Sequence, residues 1–125
     1  MNSDLKITTE QRQAAVPVTV FSIRGWLDGQ SEEQLLEAAR NAYNDGARYI
    51  LIEMGDLDTI TSAGIRAIQK LYQMYTPKED RFKIAHLKLC NAPPQIYNVL
   101  GITGFLQNIP MYASQDDALE SFGKE

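Results

Sequence analysis

Two adjacent hydroxyl side chains, Thr61 and Ser62, have the chemistry and the position to carry a phosphate group. They follow a predicted buried strand at residues 49–54 and begin an amphipathic segment that ends near Tyr75. Ser and Thr at a helix N-terminus satisfy backbone N–H groups that have no partner within the helix. The same N–H groups and the helix dipole also favour a phosphate group. The pair is therefore interpreted either as an ordinary cap or as a site of phosphorylation.

Helical spacing gives the two hydroxyls different positions. At 3.6 residues per turn the segment has a polar side that begins at Ser62 and an apolar side opposite it. The polar side holds Ser62, Arg66, Gln69, Lys70 and Gln73, and the apolar side holds Gly64, Ala67, Ile68, Leu71 and Tyr75. We expect Thr61 to cap the helix, Ser62 to face solvent, and Arg66 to lie within reach of a phosphoryl group on Ser62. Ile65 and Tyr72 flank the polar side and are expected to be apolar anchors of an interface.

Three carboxylates after the strand, Glu53, Asp56 and Asp58, are an alternative site that could hold Mg²⁺ and take phosphate on aspartate. Such receiver-type chemistry also needs an acidic pair after an earlier strand and a lysine after a later one. Asp28 is the one acid after the earlier strand, and residues 109–112 contain no lysine. Solvated carboxylates close to a helix dipole are the simpler interpretation.

The single histidine, His86, and the single cysteine, Cys90, do not form a recognisable catalytic or metal site. Zinc needs more such ligands at set spacings, and a nucleophilic triad needs a third partner. His86 is expected to be packed within a strand. Gly25 and Gly29 lack both the spacing of a phosphate-binding loop and its lysine. The sequence therefore predicts a binding protein, not an enzyme, with no cofactor and no metal.

The bulk properties restrict the classes of partner and compartment. The chain has 125 residues, a net charge of −4 and a single cysteine. The negative charge argues against nucleic acid or an anionic membrane as the main partner, and one cysteine is typical of a reducing compartment. No apolar run is long enough to span a bilayer, and the N-terminus does not have the pattern of a signal peptide. We expect a cytoplasmic protein with no direct membrane insertion.

The hydropathy pattern alternates strands and helices, which predicts one α/β domain over residues 1–125. Strands are expected at residues 5–12, 16–24, 49–54, 82–89 and 106–111, and helices at residues 31–44, 62–75, 93–101 and 114–122. Helical crossovers imply parallel strands, whereas the short link between the first two strands permits an antiparallel hairpin. The expected result is a mixed sheet with packed helices. Residues 25–30 are expected to be a loop, and Ser31 with Gln34, like Ser114 with Asp117, is interpreted as a capping pair.

Three motifs in this order resemble the STAS domain family, named for sulfate transporters and anti-sigma factor antagonists. Gly25-Trp26-Leu27-Asp28 is similar to the turn after the family's second strand. Leu57 through Gly64 is similar to the family segment that ends Asp-Ser-Ser-Gly or Asp-Ser-Thr-Gly. Residues 92–105, from Ala-Pro-Pro to Gly104-Phe105, resemble the family's third helix and the turn after it. The resemblance covers nearly the whole chain.

The resemblance implies that Ser62 is the serine phosphorylated in bacterial anti-sigma factor antagonists. Thr61 occupies the place of the family's aspartate and is the alternative acceptor, and Ala63 occupies the place of the second hydroxyl residue. The implied partner is an anti-sigma factor that is also a serine kinase of the histidine-kinase-like ATPase type, and a serine phosphatase would reset the switch. The implied partner-binding residues are Asp28, Thr59, Thr61, Ser62, Ala63, Ile65 and Arg66.

Two other functions remain open at the level of the sequence. One is a STAS module that is never phosphorylated and serves as a scaffold or as a subunit of a transport complex. The other is a small phosphotransfer or hydrolytic domain that uses Asp56 or Asp58.

Overall fold

The computed structural model describes residues 4–81 and 83–123, and of Leu106 the backbone alone. The strands are β1 (Lys6–Gln13), β2 (Pro17–Leu27), β3 (Ile50–Ile60), β4 (Leu87–Cys90) and β5 (Met111–Tyr112). The helices are α1 (Glu32–Asn44), α2 (Ser62–Tyr75), α3 (Pro94–Ile102) and α4 (Gln115–Ser121), with 3₁₀ turns at Lys78–Asp80 and Phe105–Gln107. The Met1–Ser3 segment, on which the expectation about a signal peptide partly depends, lies outside the described residues.

The five strands form one sheet in the order β1-β2-β3-β4-β5. β1 and β2 are antiparallel, and the other neighbouring pairs are parallel. The connections explain this pattern, since a short turn joins the first two strands and helices join the parallel ones. The predicted mixed sheet, including the hairpin, is confirmed.

Helices cover both faces of the sheet. The larger core joins α1, α2 and α3 to one face through residues such as Leu35, Ile68 and Leu100. A smaller core on the other face joins Ala118 and Phe122 of α4 to Val18, Val20 and Leu51. β2 and β3 are buried on both faces, which explains why their sequences are apolar without alternation.

β2 and β3 extend well beyond their predicted ends. The predicted loop at residues 25–30 is wrong for its first half, because Gly25-Trp26-Leu27 continues β2 beside the end of β3. The pairing register between β2 and β3 shifts twice here, once between Ser22 and Arg24 and once between Gly25 and Trp26. Gly25 has φ of +94°, a conformation that L side chains rarely adopt. These irregularities interrupt the period-2 pattern and hid the extension from sequence reasoning.

Two later strand predictions are also wrong in extent. The strand expected at residues 82–89 is β4, which begins only at Leu87; Phe82 itself lies outside the described residues. The strand expected at residues 106–111 is a 3₁₀ turn at Phe105–Gln107 followed by β5 at Met111. His86 therefore precedes β4, although it is packed as expected. Its ring stacks on Tyr49 at 4.6 Å between centroids, and its Nε2 lies 3.0 Å from Asp80 Oδ2.

Only one of the two predicted capping pairs is confirmed in its main contact. Ser114 accepts a hydrogen bond from the Asp117 N–H at 3.1 Å. Ser31 makes no cap bond to α1; its hydroxyl donates to the Trp26 carbonyl at 2.9 Å instead. Gln34 donates to the Leu5 carbonyl at 2.9 Å and so ties α1 to the start of β1. The tertiary partners of these two side chains replace the local contacts that the sequence pattern favoured.

Candidate functional site

The ends of β2 and β3 and the start of α2 form one surface. Trp26 pairs with Thr59 and Leu27 with Ile60, and the Thr61 N–H donates to the Leu27 carbonyl at 3.1 Å. α2 begins with the next residue, Ser62. The position of Ser62 is thus fixed by the last hydrogen bonds between the two central strands.

Thr61 and Ser62 divide the roles of cap and exposed hydroxyl as the helical spacing predicts. Thr61 is extended, with φ of −112° and ψ of 176°, and its Oγ1 accepts from the Gly64 N–H at 3.4 Å. Thr61 is therefore the N-cap of α2, although the bond is long. Ser62 is exposed, and the apolar side of the helix is buried as expected. The Ser62 hydroxyl is left on the surface at the first turn of the helix.

Gly64 allows α2 to approach the sheet more closely than any larger residue would. A Cβ atom at Gly64 would lie 2.3 Å from the Leu27 carbonyl oxygen and 2.9 Å from Leu27 Cγ. This close approach of helix to sheet requires glycine at position 64. It also explains why glycine follows the hydroxyl residues by two positions.

The turn after β2 lies beside the start of α2. Asp28 Oδ1 accepts hydrogen bonds from the N–H groups of Gln30 and Ser31, each at 3.1 Å. A Cβ built on Gly29 would lie 3.8 Å from Ala63 Cβ. Asp28 therefore holds the turn that contacts α2, which brings the predicted residues Asp28 and Ala63 to neighbouring places.

A carboxylate from α1 joins the polar side of α2. Glu32 Oε2 accepts from Lys70 Nζ at 3.1 Å, and Glu32 Oε1 lies 3.6 Å from Arg66 Nη2. The hydrogen bond from Lys70, together with the charge of Arg66, holds the pKa of Glu32 below its ordinary value. Sequence reasoning did not select Glu32, because its partners lie on another helix and no local spacing links them.

The family model described as "STAS domain" matches residues 6–118. The chain belongs to the STAS domain family.

One protein named as an anti-sigma factor antagonist is similar in sequence, and solved structures are similar in fold. A protein of Bordetella bronchiseptica named "Putative anti-sigma factor antagonist BtrV" is 29% identical over 103 residues, covering 82% of this chain and 84% of that protein. The crystal structure of an anti-sigma factor antagonist from Mycobacterium paratuberculosis superimposes with a TM-score of 0.79 at 20% identity, covering 95% of this chain and 94% of that one. The Bacillus cell fate determinant SpoIIAA in its phosphorylated form matches with a TM-score of 0.65 at 18% identity, covering 92% and 97%. The two structures show the shared fold.

The remaining residues predicted for the STAS docking surface differ in exposure. Thr59 is half-buried at the end of β3, and Arg66 is exposed. Ile65 is partly buried and packs against the larger core. Tyr72 is only 7% exposed and belongs to that core, so its expected role as an interface anchor is wrong. Trp26, half-buried, donates from Nε1 to Asp58 Oδ2 at 3.2 Å across the two strand ends.

The carboxylates considered for Mg²⁺ lie on β3 and do not converge. Both Glu53 oxygens accept hydrogen bonds, Oε1 from Asn91 Nδ2 at 2.7 Å and Oε2 from the Gly55 N–H at 2.8 Å. Asp56 and Asp58 are exposed along the strand. Within residues 4–81 and 83–123, no group of three or more His, Cys, Asp or Glu side chains is arranged to hold a metal ion.

None of the helices in the described part of the chain combines the length and the apolar character needed to cross a membrane.

Proposed function

We propose that this STAS domain is an anti-sigma factor antagonist that works by partner switching. In its unmodified form it binds a kinase-type anti-sigma factor of the histidine-kinase-like ATPase class through the start of α2 and the turn at Asp28. Phosphorylation of Ser62 by that partner ends the interaction, and a serine phosphatase restores it. The chain acts through a binding equilibrium and performs no catalysis itself.

The observation that carries the proposal is the exposed hydroxyl of Ser62 on the first residue of α2. Thr61 caps the N-terminus of α2. The Ser62 hydroxyl is therefore not used as the cap, and it is exposed where a kinase could reach it. Thr61 is exposed as well and is the alternative acceptor. Its hydroxyl, however, already accepts the Gly64 N–H, and transfer of phosphate to it would disturb the cap.

The charges around Ser62 support control by phosphorylation. A phosphate group adds roughly −1.5 to −2 charges at neutral pH. The cations on the polar side of α2, Arg66 and Lys70, already share the carboxylate of Glu32. With a phosphate on Ser62, two cations face two anionic groups, and the excess is negative. A partner that binds the unmodified surface would have to desolvate that excess negative charge, which weakens binding.

The relative from Bordetella bronchiseptica supports the class of function, because its printed name is that of an anti-sigma factor antagonist and the match covers most of both chains. The SpoIIAA structure supports the switch, since that protein, with the same fold, was solved in a phosphorylated form.

The proposal is tested by the affinity of charge variants for the partner. The unmodified chain is used as bait in an extract of its native cells, and the recovered ATPase is titrated with each variant by calorimetry. Ser62→Ala is expected to bind like the wild type, whereas Ser62→Glu is expected to bind at least about tenfold more weakly, a loss of about 1.4 kcal/mol. Gln73→Glu is the matched control, because it adds the same charge to the same exposed side of α2 but at the far end of the helix.

Equal affinities of Ser62→Glu and Ser62→Ala would contradict charge-controlled docking. They would favour the scaffold function, in which the same surface binds its partner regardless of phosphate.

A further inference from the structure

Among the strands that the structure describes, β1 is an edge strand that pairs with β2 on one side only. It lies at the end of the sheet, where its one neighbour is β2. From Thr8 onward every residue of β1 is exposed. An open strand of this length presents backbone N–H and C=O groups that can pair with another strand.

The outward-facing backbone groups of β1 belong to its odd-numbered residues. The Thr19 N–H on β2 donates to Tyr49 on the β3 side at 2.9 Å, so the polar groups of Thr19 point away from β1. Thr19 is opposite Gln11, and Gln11 must therefore direct its own N–H and C=O away from β2. By the two-residue period of a strand, Ile7 and Thr9 do the same.

The charged side chains of β1 are placed so that two antiparallel copies of the strand bring opposite charges together. Lys6, Glu10 and Arg12 lie at even-numbered positions and therefore share one face of β1. Asp4 precedes the strand at the same two-residue spacing from Lys6. We propose that two copies of this chain associate through antiparallel pairing of β1, with Thr8 of one copy opposite Thr8 of the other. In this register Lys6 lies opposite Glu10 and Asp4 opposite Arg12, and the symmetry repeats both pairs.

The same charges oppose the neighbouring registers. With Thr9 opposite Thr9, Lys6 lies opposite Arg12. With Ile7 opposite Ile7, Asp4 lies opposite Glu10. Like charges directly opposite each other destabilise a strand pair, whereas opposite charges stabilise it. Charged side chains usually protect an edge strand against association, but here they select one register.

The backbone geometry fits that register. Ile7 of one copy lies opposite Thr9 of the other, and each such pair exchanges two N–H···O bonds through the outward-facing groups. Lys6, Thr8 and Glu10 occupy the intervening positions, where opposite Cβ atoms lie closest. The ion pairs therefore fall at the positions where side chains of two antiparallel strands interact most strongly.

A carboxylate beside Lys6, on the side of β1 that faces away from β2, would stabilise its charge. Its pairing partner on β2 is Arg24, which carries the same charge. Among the residues that the structure describes, Lys6 has no ion-pair partner. Glu10 of a second copy would lie on the side of Lys6 away from Arg24 and would offset this repulsion.

Charge reversal and its rescue test the association by sedimentation velocity over a concentration series. Lys6→Glu places a carboxylate opposite Glu10 twice by symmetry and is expected to weaken dimerisation at least about tenfold. Glu10→Lys is expected to have the same effect. The double variant Lys6→Glu/Glu10→Lys restores opposite charges and is expected to dimerise like the wild type. Unfolding by urea, measured on each variant, separates loss of dimer from loss of fold.

Disulfide trapping tests the register. Thr8→Cys places two thiols opposite each other across the symmetry axis, within the range of a disulfide, and is expected to cross-link under mild oxidation. Thr9→Cys, equally exposed but opposite Ile7, is the matched control and is expected to remain largely uncross-linked. The native Cys90 is fully buried and does not compete.

A wild-type chain that stays monomeric at all concentrations would overturn the proposal, as would a double charge swap that fails to restore the dimer. Equal cross-linking of Thr8→Cys and Thr9→Cys would overturn the register.

Discussion

At the scale of single residues, neighbouring hydroxyls at Thr61 and Ser62 have different environments because of helical geometry. The extended backbone of Thr61 turns its Oγ1 back toward the Gly64 N–H. Ser62, one step further, starts the polar side of α2. This division could be predicted from the sequence, since it depends only on the helical period and on where the apolar side begins. The partners of Arg66 and Lys70 could not, because Glu32 approaches from another helix.

The space around Gly64 predicts the effect of adding one Cβ atom at that position. Alanine favours a helix over glycine by about 1 kcal/mol, but at this position its Cβ would meet the Leu27 carbonyl at 2.3 Å. Steric overlap in a packed region typically costs about 1–3 kcal/mol. Gly64→Ala is therefore expected to lower the free energy of unfolding, measured by urea denaturation.

Gly101→Ala is the control, because Gly101 also lies in a helix and nothing is within 4 Å of its Cβ position. We expect this variant to be neutral or slightly stabilising, by up to about 1 kcal/mol. If both variants were equally stable, the close contact between α2 and the end of β2 would not exist in solution.

At the scale of elements, α1 and α2 are joined by contacts at both ends. Glu32 links the start of α1 to Arg66 and Lys70. Further along, the buried Tyr75 hydroxyl donates to the Ala39 carbonyl at 2.7 Å, and the Tyr75 ring packs edge-on against Tyr43 at 5.4 Å between centroids. The position of α2, and with it the surface at Ser62, depends on this pair of helices.

Tyr75 makes the stability of this helix pair dependent on alkaline pH. Burial, above all, raises the pKa of Tyr75 to about 12 from its ordinary value of 10.0. The folded state favours the neutral phenol, so its stabilising effect is complete below pH 10 and is lost as the pH rises toward 12. Urea unfolding of the wild type is expected to show this alkaline loss.

Tyr75→Phe separates that contribution from the rest of the protein. At neutral pH the variant is expected to be less stable by about 1–2 kcal/mol, because the Ala39 carbonyl loses a buried hydrogen bond. Between pH 10 and 12 the gap between wild type and variant is expected to close. A gap that stays constant over this range would mean that the phenol ionises alike in the folded and unfolded states.

The limits of sequence reasoning also lie at the scale of elements. The identity and order of the regular helices followed from hydrophobic periodicity, and Pro17 marked the start of β2 correctly. The ends of β2 and β3 did not follow, because acidic residues and register shifts hide a strand that is held by its neighbour. Ser31 and Gln34 had the pattern of a capping box, but tertiary partners at Trp26 and Leu5 took both side chains.

At the scale of the whole molecule, the two proposed binding surfaces lie at different places on the sheet. The start of α2 lies at the carboxyl end of β3, where side chains from β2, β3 and two helices meet. The open side of β1 lies along an edge of the sheet. The proposed two-fold axis is perpendicular to the sheet, since opposite residues of antiparallel strands share a face. Helices α1, α2 and α3 of both copies then lie on one face of the joined sheet, and the strands of the two copies run in opposite directions, so that the two Ser62 surfaces point away from each other.

Mapping the phosphorylated residue is the direct test of a phosphorylation switch at Ser62. The protein is incubated with Mg-ATP and the ATPase that the unmodified chain recovers from native cells, and its intact mass and phosphorylated fragments are then measured. We expect one phosphoryl group, located on Ser62 and absent from Ser62→Ala. A wild-type chain without phosphate, or a phosphate that persists in Ser62→Ala, would contradict this expectation.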